Sequence, residues 1–479
     1  MSQSVDHHND SNALTRRDLL GGAVGLSVAA GLASVAPATP AATSTGVAAA
    51  VVGADGRYPT VPLAQPIVRL GLVQTRIRML EVDAIERIRK ENLDYMLEWI
   101  DRAQSKLRHD ALLFHELPLT GLSFSWSRPM VLKGCIEIPG PETEAIARKA
   151  KQHNCYIIFG AYIVDKDWSN HFMSATTIIG PDGSIVDSQW KARNIMGAFG
   201  NNELMTTTIF NVLDRYVEMY GWDRVIPVAR TPIGNIATST VQLEPELYRA
   251  FGMKGAEIVL RTATGRYRLA DVQGASLHKG YWSAMVNNAY LPDDPQGLRR
   301  YWKDGDWTKP IADTTTVLST VIDPQGNLVT QTKDPTEQVL SVEIPIAAHR
   351  EKMRQPVMHK ELYDRVWQAY QGKYPPNAFL QQQPNSLTES ATQINAKTRW
   401  KPCFHCPSPL CSHAEANDQP AEPMTATTRI AWPLFRALGR EAVQRRSHER
   451  AADCHRWCRY RRTRRRACAA AIRLSPRSL

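Results

Sequence analysis

Between residues 67 and 188 short apolar runs alternate with longer stretches of helical period, and this alternation limits the fold more than any other feature of the chain. Ile67-Val68-Arg69-Leu70-Gly71-Leu72-Val73-Gln74 reads as a strand. Residues 84–107 place Ile85, Ile88, Leu93, Met96, Leu97, Ile100 and Ala103 at helical spacing. A strand at Ala111-Leu112-Leu113-Phe114, a helix near 142–152 and a strand at Tyr156-Ile157-Ile158-Phe159-Gly160 continue the pattern. Residues 175–179 and 184–188 then pair across the turn Gly180-Pro181-Asp182-Gly183 as a hairpin. Strands that alternate with helices and also pair through tight turns call for a layered α/β sandwich containing at least one mixed sheet.

Charge and cysteine are confined to one end. The chain of 479 residues carries a net +11, yet residues 396–479 hold 18 Lys+Arg against 6 Asp+Glu, so the preceding body carries −1. A neutral body gives no footing for nucleic acid or an anionic surface. Six of the 8 cysteines also lie in the tail, at Cys403, Cys406, Cys411, Cys454, Cys458 and Cys468. Cys135 and Cys155 alone belong to the body, which excludes a disulfide scaffold and is read as two free or buried thiols, with a bridge as the alternative. The tail contains the run Arg459-Tyr460-Arg461-Arg462-Thr463-Arg464-Arg465-Arg466 without any apolar period, and is expected to be disordered. Cys403, Cys406, Cys411 and His413 have zinc-ligand chemistry but no matching second pair, and translation out of frame is a further reading of the composition shift.

Near the N-terminus Thr15-Arg16-Arg17-Asp18-Leu19-Leu20 precedes a weakly apolar Gly/Ala/Leu/Val run to Ala36 and the small residues Ala36-Pro37-Ala38. Paired arginines before such a segment are the pattern of a twin-arginine export signal, and the segment is too short and Gly/Ala-rich for a stable membrane span. The expected organisation is signal and linker over 1–50, a folded domain over 65–350, a helical extension over 351–395 and the tail from 396. A periplasmic or extracellular location follows from that reading.

Three segments could carry chemistry. Phe114-His115-Glu116-Leu117-Pro118-Leu119-Thr120-Gly121 presents a carboxylate at the end of an apolar strand, where it suits either a base or a loop cap. Gly183-Ser184-Ile185-Val186-Asp187-Ser188-Gln189-Trp190-Lys191-Ala192-Arg193-Asn194 delivers a lysine at a hairpin's end. Thr231-Pro232-Ile233-Gly234-Asn235-Ile236-Ala237-Thr238-Ser239-Thr240 leads through Glu244-Pro245-Glu246 to Gly255-Ala256-Glu257-Ile258-Val259. In this order the segments resemble the nitrilase, or carbon-nitrogen hydrolase, superfamily and in particular its aliphatic amidases, over roughly 67–345. That resemblance implies a four-layer αββα sandwich of two mixed β-sheets flanked by helices. It also implies Glu116 as base, Lys191 as stabiliser of the oxyanion together with the Thr240 backbone N–H, and a nucleophile six residues before Pro245. Six residues before Pro245 stands Ser239, where the superfamily carries cysteine.

Cysteine suits the reaction because a thiol of pKa about 8.5 asks little of a carboxylate base. A serine hydroxyl is a far weaker acid and ordinarily relies on a histidine, whereas His115 should face away from Glu116 on the strand pleat. The resemblance implies hydrolysis of a small amide or nitrile, with a pocket that binds such a compound without turnover as the alternative. Acyl transfer to an amine also occurs in the superfamily. A second pocket glutamate is expected as well, with Glu203 as candidate. No cofactor and no metal is implied for the body, and a homodimer is expected by analogy. For export, replacing Arg16 and Arg17 together by lysine should leave the protein unsecreted with its N-terminus intact; immunoblotting of periplasm and medium checks this, and unchanged secretion would defeat the twin-arginine reading.

Overall fold

The computed structural model describes residues 52–121, 126–197, 201–265, 267–290 and 318–399; the twin-arginine segment and the Cys/Arg-rich tail from 400 lie outside the described residues. The described residues form two sheets. The first contains β1 (Val68–Gln74), β2 (Ala111–Phe114), β3 (Ile136–Glu137), β4 (Tyr156–Val164), β5 (Met173–Ile179), β6 (Ile185–Trp190) and β13 (Gln338–Ile344), in the order β13-β1-β2-β4-β5-β6 with β3 beside β4. The second contains β7 (Ala229–Thr231), β8 (Gly234–Ser239), β9 (Ile258–Thr262), β10 (Trp282–Val286), β11 (Thr320–Ile322) and β12 (Leu328–Gln331), ordered β12-β11-β10-β9-β8-β7. Each sheet has three central parallel strands, β1, β2 and β4 in one and β8, β9 and β10 in the other, flanked by antiparallel neighbours. The helices are α1 (Ile85–Lys106), α2 (Arg128–Gly134), α3 (Pro141–His153), α4 (Leu213–Tyr220), α5 (Pro245–Met253), α6 (Leu269–Lys279), α7 (Ile346–Lys352), α8 (Asp364–Ala369) and α9 (Leu387–Ala396).

The central strands are buried on both faces, and this sets the layering. Leu70, Leu72, Leu113 and Ile158 of the first sheet meet Ile236, Ile258, Leu260, Ala284 and Val286 of the second in one core. The alternate residues Val73, Leu112, Phe114, Ile157 and Phe159 turn outward against Met96, Trp99 and Ile100 of α1 and Ile146 and Ala150 of α3. On the far side Ala237 and Val259 meet Leu247, Tyr248 and Phe251 of α5. The result is a four-layer αββα sandwich, in which full burial of each large aliphatic side chain contributes on the order of 1.5–3 kcal/mol.

Local signals end the elements. α3 begins on Pro141 and stops at Asn154, which takes a left-handed φ of 49°. The β5–β6 turn closes with Gly183 at φ 77° and with Asp182 Oδ1 accepting the Ser184 N–H at 2.9 Å. Cys135 and Cys155 are free and buried, and burial pushes the Cys155 thiol up to about 11, so neither is a ready nucleophile.

Beyond α7 the chain returns across the first sheet's helical side. Asn377 and Phe379 donate their N–H groups to the carbonyls of Phe210 (2.9 Å) and Asn211 (3.0 Å), and Phe379 is wholly buried. The Arg128 guanidinium, also wholly buried, donates to the carbonyls of Pro384 (2.7 Å), Asn170 (3.0 Å) and Met205 (2.9 Å), clasping the returning chain to the body. Within 353–399 only α8 and α9 are α-helical, because this segment is held by backbone bonds to the body more than by its own periodicity. Phe379→Ala should therefore lower the unfolding free energy by about 3–5 kcal/mol in urea titrations; a loss below about 1 kcal/mol would mean the returning segment is not part of the cooperative unit.

Candidate active site

A parallel bridge between Arg76 and Ala289, just past the ends of β1 and β10, shows that the carboxyl ends of both parallel sets emerge on the same side. β6, two antiparallel steps from β4, shares that direction. Strand ends in an open α/β sheet are where side chains leave the core while the ladder still fixes their backbone. Glu116 follows β2, Lys191 follows β6, and Ser239 is the last residue of β8.

Glu116 and Lys191 meet there. Lys191 Nζ donates to Glu116 Oε1 at 3.2 Å, with side-chain exposures of 13% and 10%, and Ser174 Oγ lies 3.3 Å from the same oxygen. Removing either member of such a pair leaves a charge buried without its partner. The backbone of Lys191 is fixed by its N–H to the Ser174 carbonyl at 2.8 Å and by the Ile209 N–H to its own carbonyl at 3.1 Å. Glu116 needs Gly160 across from it, since a Cβ at Gly160 would stand 2.4 Å from the Glu116 carbonyl oxygen and 2.7 Å from its Cα.

Lys191, Ser239 and Thr240 line one small cavity, together with Thr176, Gln189 and Thr238 and an apolar wall that includes Leu247 and Phe251. Glu116 reaches this cavity through Lys191 and is not itself on the wall. Gln189 Oε1 accepts both the N–H and the hydroxyl of Thr238 at 2.8 Å, which ties β6 to β8 at the cavity floor. Among the described residues that line it, Lys191 is the sole ionisable side chain. No group of three His, Cys, Asp or Glu side chains among the described residues could hold a metal ion.

Ser239 is 7% exposed, and its Oγ accepts the Val241 N–H at 3.0 Å. Nearby, the Tyr248 phenol donates to the Val241 carbonyl. Burial raises the Tyr248 pKa, so this group stays a neutral phenol and is no base. Val241 is thus tied to Ser239 through its N–H and to Tyr248 through its carbonyl, and the same carbonyl accepts Arg261 Nη2 at 3.2 Å, which also donates to Asp271 at 2.7 Å. The sequence pattern did not single out Tyr248, Ser174 or Arg261; Tyr248 alone had a signal, three residues into the helix that follows the Pro245 step. Thr240 Oγ1 is buried and unpartnered at the cavity, which makes it a polar group available to a ligand.

His115 faces away from this site. Its Nδ1 accepts the Leu117 N–H at 3.2 Å, so its Nε2 carries the proton and donates to Thr75 Oγ1 at 3.0 Å. Complete burial pushes its pKa down to about 3, and it relays no proton to Ser239. Glu203 does not line the cavity either: its Oε1 accepts the Gly197 N–H, its backbone N–H bonds the Leu387 carbonyl at 3.0 Å, and burial raises its pKa. It braces the loop against the returning chain.

Buried neutral histidines carry a pH dependence. His115 at about 3, and His109 and His171 each at about 4, are depressed by burial, while the unfolded chain protonates near 6.5. The unfolded state therefore binds more protons below that pH, and stability present above about 6.5 is lost as pH falls toward 4, by up to roughly 1.4 kcal/mol per pH unit for each fully buried ring. Asp101, Asp182 and Asp334 are held below the usual carboxylate range and act only at lower pH. Calorimetry should show the melting temperature declining between pH 6.5 and 4; a flat profile there would contradict the neutral, buried assignment.

The sequence profile of the family described as Carbon-nitrogen hydrolase matches residues 69–353. No curated protein matches the chain. Among solved structures the chain is similar to a carbon-nitrogen hydrolase from Helicobacter pylori G27, at 14% identity, covering 63% of this chain and 94% of that one with a TM-score of 0.43. It is also similar to a double mutant of the amidase from Nesterenkonia sp. AN1 in complex with acrylamide, at 15% identity, 64% and 100% coverage and a TM-score of 0.42. A single mutant of that amidase, carrying the acetamide moiety of fluoroacetamide at its active-site cysteine, gives the same identity, coverage and score. With the profile spanning more than half of the chain, from the first strand of the sandwich to the helix after its last, this protein belongs to the carbon-nitrogen hydrolase family.

Proposed function

We propose that the protein hydrolyses a carbon–nitrogen bond of a small amide or nitrile, with Ser239 as nucleophile, Glu116 as base, and Lys191 with the Thr240 N–H stabilising the developing oxyanion. The observation that carries this reading is the buried Glu116–Lys191 pair at 3.2 Å behind a cavity that Lys191 and Ser239 share. For an amide, Ser239 Oγ bonds to the carbonyl carbon as its proton passes to Glu116; the proton then leaves with the amine as the carbon–nitrogen bond breaks. Water, deprotonated by Glu116, cleaves the resulting ester and restores the hydroxyl. Lys191 holds its charge beside the oxygen throughout.

A second reading, a non-catalytic pocket for a small amide or acyl compound, is favoured by one specific feature. The Ser239 hydroxyl oxygen already accepts the Val241 N–H, which holds the group within its own turn. We also infer export by the twin-arginine route, supported by Arg16 and Arg17. Self-association is a further part of the proposal, supported by the exposed apolar side chains of Leu362, Val366, Trp367 and Tyr370 on and beside α8.

Substituting Ser239→Cys supplies an acidic nucleophile to a base and cation already present. Hydrolysis of simple amides by this variant should rise by on the order of a hundredfold or more over the parent, and Glu116→Gln in the same background should remove the gain. Intact mass spectrometry with amide, nitrile and ester panels should meanwhile detect acylation of Ser239 in the parent if the first reading holds. A parent that never acylates, beside a cysteine variant that turns over, would select the binding reading. A cysteine variant whose thiol titrates near 8.5 would overturn the site itself.

A further inference from the structure

The turn that follows Ser239 is held from two sides. On the β9 side, Tyr248 and Arg261 both donate to the Val241 carbonyl. On the opposite side a single side chain spans the next three residues: Arg193 Nη2 lies 3.3 Å from the Gln242 carbonyl and 3.1 Å from the Leu243 carbonyl, and Nε pairs with the Glu244 carboxylate. Its remaining Nη1 donates to the Asn194 carbonyl at 3.0 Å, so the guanidinium is also tied to its own strand end. Leu243 adopts φ 53° with half of its side chain exposed, a left-handed conformation that a leucine keeps only when its surroundings enforce it. With half of the side chain in water, the Arg193 fork on its carbonyl supplies the constraint.

Arg193 stands two residues after Lys191, in the segment whose backbone is pinned at Lys191 and Ala192 by the N–H groups of Ile209 and Phe210. One rigid fork therefore joins the segment carrying the cation to the turn carrying the hydroxyl. We propose that Arg193 is a positioning residue that sets the register of Ser239 against the Glu116–Lys191 pair, with Glu244 as its anchor. The role needs the planar, multi-donor guanidinium, since an ammonium is a point charge that cannot serve two successive carbonyls and a carboxylate in one geometry. This inference rests on the reading of Ser239, Lys191 and Glu116 as one site.

Two measurements on the full chain test it. In the parent background, hydrogen exchange of the amides over 240–244 should accelerate in Arg193→Ala and Arg193→Lys, while those of β9 remain as in the parent; unchanged exchange at the turn overturns the proposal whatever the chemistry. In the Ser239→Cys background, alkylation by iodoacetamide at neutral pH should fall by roughly tenfold to a hundredfold with Arg193→Ala, the thiol pKa moving back toward about 8.5, and Arg193→Lys should not rescue it. A lower melting temperature with the alkylation rate and pH profile intact would assign Arg193 a merely structural role and sink the proposal. If Ser239→Cys with Arg193 in place already has an ordinary thiol, the site reading fails instead, and exchange at the turn still decides whether Arg193 holds it.

Discussion

Strands that are apolar on both faces have to be covered on both faces, and most of this structure follows from that requirement. Leu70, Leu72 and Leu113 face the second sheet while Val73, Leu112 and Phe114 face α1 and α3. Neither set can be left in water at roughly 25 cal/mol per Å2 of apolar surface. Two such sheets back to back, each with a helical cover, satisfy both sets at once. Glu116, Lys191 and Ser239 stand where strands end, and the parallel order of the central strands brings those ends to one side.

The site is a consequence of that geometry combined with electrostatics. A carboxylate and an ammonium, each about nine-tenths buried, are tolerable only together, so Glu116 and Lys191 hold one another in place across the two strands, β4 and β5, that lie between β2 and β6. Gly160 clears the space for the Glu116 backbone, and Ser174 serves both partners, through its hydroxyl to Glu116 and its carbonyl to Lys191. Ser239 arrives from the other sheet on a turn that Val241 anchors in the core against Leu247, Tyr248 and Phe251. Hydrogen bonds add to that hold, from Tyr248 and Arg261 on one side and Arg193 on the other. The hydroxyl in this position accepts the Val241 N–H, a bond that a larger and weakly bonding thiol would not reproduce.

The returning chain beyond residue 353, outside the span matched by the family profile, adds a second layer of support. Its backbone bonds reach Phe210 and Asn211, and Ile209 and Phe210 in turn bond the carbonyls of Lys191 and Ala192. The lysine's position is thus braced from behind by residues that no motif marks. Burial of Arg128 with three carbonyl acceptors closes that brace, and burial lowers its pKa only to about 10, which leaves it charged at neutral pH.

Local periodicity was sufficient to read β1, α1, β2, α3, β4 and the β5–β6 hairpin from the residues, because helix and strand spacing is written in consecutive side chains. The order of three short motifs also identified the family, and the pleat placed His115 opposite Glu116, as its bonds to Thr75 and Leu117 bear out. What periodicity cannot encode is which distant groups meet. The bond from Tyr248 to Val241, the brace from Phe379 and Arg128, the service of Ser174 and the clasp of Arg193 are contacts between segments far apart in sequence or on different elements. Glu203 was legible as an acidic residue near the site but not as a loop brace, since its partner Gly197 is a backbone group with no side-chain signature. Hydrogen-bond partners of this kind are chosen by the packing of four layers, and only the folded chain decides them.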